Sequence, residues 1–125
     1  MIRASACTLD DVRHILAPAV APKADAVGKY TLEGLAGQGQ CYKVADEQGV
    51  IVAAYILAAE GSEVFVLAAA GCAAFDLCSV LDALIDSQAS QFDTVAFQTR
   101  RKGLVKKAKA HGYEVAGYIM RKRLK

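Results

Sequence analysis

Between Gln40 and Ala68, three β-type runs follow one another so closely that only an antiparallel meander can join them. Gln40–Ala45 leads into Asp46-Glu47-Gln48-Gly49, a hairpin turn sequence, and Val50–Ala58 returns from it. Glu60-Gly61-Ser62 then turns the chain into a third run, Glu63–Ala68. Such short loops cannot carry the crossover that parallel neighbours need. After Gly71 the pattern changes. Phe75, Leu77, Cys78, Leu81, Leu84 and Ile85 share one broad helical face, with Asp76, Asp82 and Asp86 mainly on the other. A helix of that length is a crossover, and it should place Thr94–Gln98 parallel to the third run.

The two ends fit round this centre. Ile2–Ala4 is a short β-type start. Thr8-Leu9-Asp10-Asp11 opens a helix carrying Val12, Ile15 and Leu16, which should stop before Pro18. Ala17–Lys29 is left open, because Pro18 and Pro22 break it while its alanines permit further helical turns. Tyr30–Ala36 reads as a short helix and Gly37-Gln38-Gly39 as a loop. Beyond Gln98, Thr99 and Arg100 lead into a basic amphipathic helix that ends at His111-Gly112-Tyr113. A last β-type run, Glu114–Met120, should follow. The expected architecture is one α/β (α+β) domain over 1–125, with a mixed, mostly antiparallel sheet and helices on both faces.

Composition excludes several classes. Hydrophobic residues at 54% with 22% charged describe a chain that can bury a core, not a disordered one. No apolar run approaches the roughly 18 residues of a membrane span. The opening residues lack a secretory pattern, so a cytoplasmic location is expected. Cys7, Cys41, Cys72 and Cys78 are irregularly spaced, and His14 and His111 lie far apart, so no metal site is expected. Charge is lopsided: residues 100–125 hold ten Lys/Arg against Glu114 alone, whereas residues 1–99 hold five against twelve Asp/Glu. This points to an anionic ligand at the C-terminal end, or simply to a solvated helix and tail. Nucleic acid ranks last, because no aromatic residues interleave the basic ones.

In order and spacing, these pieces resemble the GNAT superfamily of N-acyltransferases over nearly the whole chain. The resemblance is carried by IRASACTLDDVRHIL at the start, by the hairpin from Tyr42-Lys43-Val44-Ala45-Asp46 through Gly49 to Tyr55, and by His111-Gly112-Tyr113 near the end. It implies transfer of an acyl group from acetyl-CoA or another acyl-CoA to a primary amine on a small molecule or peptide. The amine would attack the thioester directly. It also implies that the backbone of Leu67, Ala68 and Ala70 faces the thioester. Gly71, Cys72, Ala73 and Ala74 would cradle the pyrophosphate, with Arg100 and Arg101 nearby. Backbone N–H groups at a helix start suit phosphate. Two departures stand out. The family's Arg/Gln-x-x-Gly-x-Gly/Ala loop is here Ala68-Ala69-Ala70-Gly71-Cys72-Ala73-Ala74. The Tyr that often protonates the leaving thiolate is here Ala108, and the Asn that often begins that helix is replaced near Arg101. Glu60, Glu63 and Tyr118 are the remaining candidates for proton transfer. Cys72 reads better as a buried thiol than as a nucleophile, and Tyr113 as a core aromatic. The alternative function is a non-catalytic GNAT-like structural or interaction protein with a degenerate CoA loop, of the kind phages encode. A homodimer is left open.

Overall fold

A computed structural model describes residues 3–20, 31–71, 77–98, 102–118, 120, 122 and 124. In chain order the elements are β1 (Arg3–Cys7), α1 (Leu9–Leu16), a 3-10 turn (Ala17–Val20), α2 (Leu32–Gln38), β2 (Gln40–Ala45), β3 (Ile51–Glu60), β4 (Glu63–Gly71), α3 (Leu77–Gln88), β5 (Thr94–Phe97) and α4 (Lys102–Ala110). The five strands form one sheet in the order β1-β2-β3-β4-β5. β1 to β4 are antiparallel, and β5 lies parallel to β4 from Glu63 opposite Thr94 to Val66 opposite Phe97. The expected meander and crossover are therefore present. No helix among the described residues is long and apolar enough to cross a membrane.

Local chemistry explains the boundaries. The Thr8 backbone N–H donates to Asp11 Oδ2 at 3.1 Å and closes the start of α1, which ends at Leu16 before Pro18. Asp46 Oδ1 accepts from the Gln48 and Val50 backbone N–H groups at 2.9 and 3.0 Å, folding the β2–β3 turn on one side chain. At the end of α4, Gly112 has φ +91°, a conformation that carries the chain out of the helix without a Cβ penalty.

Two cores lie on opposite faces of the sheet. Ala54 and Ile56 of β3 pack with Val12, Ile15 and Leu16 of α1 and with Leu32 and Leu35 of α2. Ala53, Tyr55 and Leu57 point the other way, to Val44, Val64 and to Ile85 and Ala89 at the end of α3. This alternation is the period-two rule of a strand buried on both sides. Tyr55 is wholly buried, stacks on Tyr42 with centroids 5.3 Å apart, and donates its hydroxyl to Gln88 Oε1.

Three expectations need correction. Gly37 and Gln38 are helical, and the stop comes at Gly39, where a Cβ would stand 2.3 Å from the Leu57 carbonyl oxygen. β3 and β4 run to Glu60 and Gly71, longer than expected, because the alanines continue the ladder. Among the described residues, 113–118 have no regular structure, so the last expected strand, Glu114–Met120, is not seen there. β5 has only four residues and so offers a short ladder, while Ala116 and Gly117 bring almost no side chain to bury. Tyr118 and Met120 are 88% and 91% exposed.

Candidate functional site

The ladder between β3 and β4 slips by one residue. Ile56 faces Ala68 but Leu57 faces Val66, so Leu67 has no residue opposite it in β3. The slip is a β-bulge, and its effect is visible in the cores. Before it, Val64 and Val66 belong to the α3 face; after it, Ala68 and Ala70 belong to the α1–α2 face, which Leu67 also joins. The parallel pairing to β5 ends at the same place, at Val66 opposite Phe97. Bulges re-aim side chains and end pairing in this manner beside functional sites.

A cleft of about 500 Å³ opens here on the α1–α2 face. Leu67 and Gln98 mark one end and Glu60 the other, with Phe65, Leu35 and Gln38 among its walls. Gly39 fixes that wall, since its contact with Leu57 brings the end of α2 directly against β3. This volume lies in the range of small-molecule sites, and its lining mixes apolar side chains with polar groups.

The expected residues divide as follows. Leu67, Ala68 and Ala70 lie at or just beyond the bulge, with Gly71 closing β4. Cys72, Ala73, Ala74, Arg100 and Arg101 lie outside the described residues, and with them all but Gly71 of the stretch expected to cradle the pyrophosphate. Glu60 lines the cleft. Glu63 is its register partner but accepts from Thr94 Oγ1 at 3.1 Å. Tyr118 stands in solvent beyond the sheet. Gln38, Phe65 and Gln98, which line the cleft, carry no sequence signal of their own. A hydrophobic-to-polar step at Phe97-Gln98 is the nearest to one.

Electrostatics narrow the proton donors. Tyr113, half-buried and outside both cores, packs edge to face on Phe97, centroids 5.3 Å apart. Burial, reinforced by Asp82 and Asp86, pushes its hydroxyl up to about 12, so it holds its proton tightly. Asp86 is itself raised, by burial and then by Asp82, whose Oδ2 lies 3.3 Å from His111 Nδ1. Burial raises the Cys7 and Cys41 thiols, the opposite of what a nucleophilic cysteine needs. Among the described residues no group of His, Cys, Asp and Glu could hold a metal ion.

No known family's sequence profile matches the chain, and no curated protein sequence does. Solved structures do match. A GNAT-family acetyltransferase from Streptococcus pneumoniae TIGR4 superposes with a TM-score of 0.62 at 20% identity, covering 98% of this chain and 99% of that one. A GNAT acetyltransferase from Elizabethkingia anophelis, solved with acetyl-CoA bound, gives 0.66 at 11% identity over 93% and 78%. The enzyme AAC(6')-Iy, in complex with the bisubstrate analogue CoA-S-monomethyl-acetylneamine, gives 0.65 at 15% identity over 100% and 99%. With a bulged fourth strand paired in parallel to a fifth, and with these superpositions over nearly its whole length, the chain has the fold of the GNAT acetyltransferases.

Proposed function

We propose that the protein is an acyl-CoA-dependent N-acyltransferase that transfers an acetyl or related group to a primary amine. The observation that carries this reading is the coincidence at Leu67 of three features: the bulge, the end of the β4–β5 pairing, and one end of the cleft. Acyl transfer needs a polar group on the thioester oxygen, a path for the amine and an exit for a proton. Backbone at the bulge supplies the first, and the cleft supplies the second. The amine enters neutral, and its nitrogen bonds to the thioester carbon as the carbon–sulfur bond breaks. Its proton leaves to water. Water also supplies the thiolate's proton, because Ala108 offers no hydroxyl and Tyr113 does not release its own readily. Glu63 is held by Thr94, and Tyr118 is exposed and does not line the cleft, so neither is assigned a part in transfer. The pyrophosphate is assigned to Gly71–Ala74 and to the positive charge of Arg100 and Arg101.

The test is calorimetric titration with acetyl-CoA, followed by measurement of free CoA thiol on adding amines. Heat with acetyl-CoA and amine-dependent thiol release are the expected results. A second reading, a GNAT fold that binds without catalysing, is favoured by Ala108 standing where the family often has its acid. Binding of acetyl-CoA without thiol release for any amine would select it.

A further inference from the structure

The cleft carries its charge at one end. Leu57, the last residue paired before the bulge, lies three residues from Glu60 along β3. At about 3.3 Å per residue, roughly 10 Å separate the two ends. Between them Ala58 and Phe65 are register partners, share a face, and both line the cleft. The floor is therefore apolar. At the far end Glu60 and Glu63 are register partners, but the Glu63 carboxylate turns to Thr94 on β5, which leaves Glu60 as the charged residue of the lining. Among the described residues, no ion pair joins either to a Lys or Arg. The remaining polar groups of the lining, Gln38 and Gln98, are neutral.

Resting on the acyl-transfer reading, we propose that the acceptor is a linear diamine. One amine, neutral, meets the thioester carbon at the bulge, and the other, as an ammonium, is held by Glu60. The methylene chain lies on Ala58 and Phe65. One nitrogen–carbon bond forms, one carbon–sulfur bond breaks, the attacking amine gives up one proton and the free thiol gains one. The distal ammonium is unchanged. Glu60 is on this view a specificity-determining residue, too far along β3 to touch the reacting atoms. A monoamine of the same length loses that contact, and an acidic acceptor is repelled.

The probe is hexamethylenediamine against hexylamine, with the natural protein and with Glu60→Gln. Two quantities are read: kcat/KM for each amine, and the melting shift each produces with CoA present. A charge-assisted contact at one end of the acceptor should favour the diamine by about tenfold or more. In Glu60→Gln that preference should collapse through KM, and the diamine's melting shift should vanish. An equal fall in kcat for both amines, with the preference intact, would make Glu60 a proton acceptor and overturn the inference while acyl transfer stands. If no amine is acylated, the acyl-transfer reading fails, and the melting shift decides alone. A shift that depends on Glu60 upholds the diamine site, and its absence overturns it.

Discussion

Gly39 and Leu57 meet so closely that a methyl group at Gly39 would stand 2.3 Å from the Leu57 carbonyl oxygen. The obstacle is backbone in the middle of a five-stranded sheet, so it cannot swing aside. Gly39→Ala should cost about 1–3 kcal/mol, the usual range for overpacking. Two residues earlier, a Cβ at Gly37 meets nothing within 4 Å, and the residue is helical. Gly37→Ala should therefore stabilise by about 0.4–1 kcal/mol. Thermal melts of the two variants should move in opposite directions.

Tyr55 and Gln88 tie the middle of the sheet to the end of α3. Tyr55→Phe keeps the stack on Tyr42 and loses one hydrogen bond, at a cost of about 0.5–1.5 kcal/mol. Gln88→Leu leaves a buried hydroxyl unpaired and should cost more, about 1–3 kcal/mol. Made on top of Tyr55→Phe, the Gln88→Leu change should cost little, and denaturant melts of the four proteins measure this coupling.

Tyr113 makes the fold sensitive to alkali. Its hydroxyl is raised from 10 to about 12, so the folded state holds this proton more tightly than the unfolded one. The stabilisation is complete below about pH 10 and is lost as pH rises towards 12. Tyr55 is raised as well, so the natural protein should weaken through both groups. Tyr113→Phe should show a shallower loss of melting temperature across that window, and an unchanged slope would contradict the assignment.

Acetyl-CoA should bind weakly, because the stretch Ala68–Ala74 has one glycine and no Arg, Gln or Lys. Each charge-assisted hydrogen bond lost costs about 1.5–3 kcal/mol, so submicromolar affinity is not expected. Replacing Arg100, Arg101 and Lys102 with alanine should reduce affinity further, since positive charge at the start of α4 suits an anion. Removing residues after Met120 should change it little. Titrations of both variants at two salt concentrations separate a local contact from a diffuse field.

The parts of the fold that are legible in the sequence are those with punctuation. Asp46 to Gly49 and Glu60 to Ser62 mark turns, and the periodic apolar residues from Leu77 to Ile85 mark a helix. These place four strands and the crossover. Gly37-Gln38-Gly39 misleads because glycine signals both loops and close approach, and only the neighbouring strand at Leu57 distinguishes them. Glu114–Met120 has strand composition but finds no partner among the described residues. At the site, Glu60 is accessible as the carboxylate beside the turn. The bulge is not, because Phe65-Val66-Leu67-Ala68-Ala69-Ala70 is apolar throughout, and a slip of register leaves no mark on a pattern without alternation.

That silent slip has a consequence for variation in β4. A strand normally tolerates change in a simple rhythm, one position strict and the next permissive. Here the beat is displaced by one residue at Leu67, because even positions serve one core before it and the other core after it. A saturation scan along 63–71 should therefore show two in-phase stretches with a phase jump between Val66 and Ala68. Deleting Leu67, the one residue between them, would bring the strand back into regular alternation with both halves of β4 still facing their present cores, whereas a deletion elsewhere in the strand would turn one half inside out.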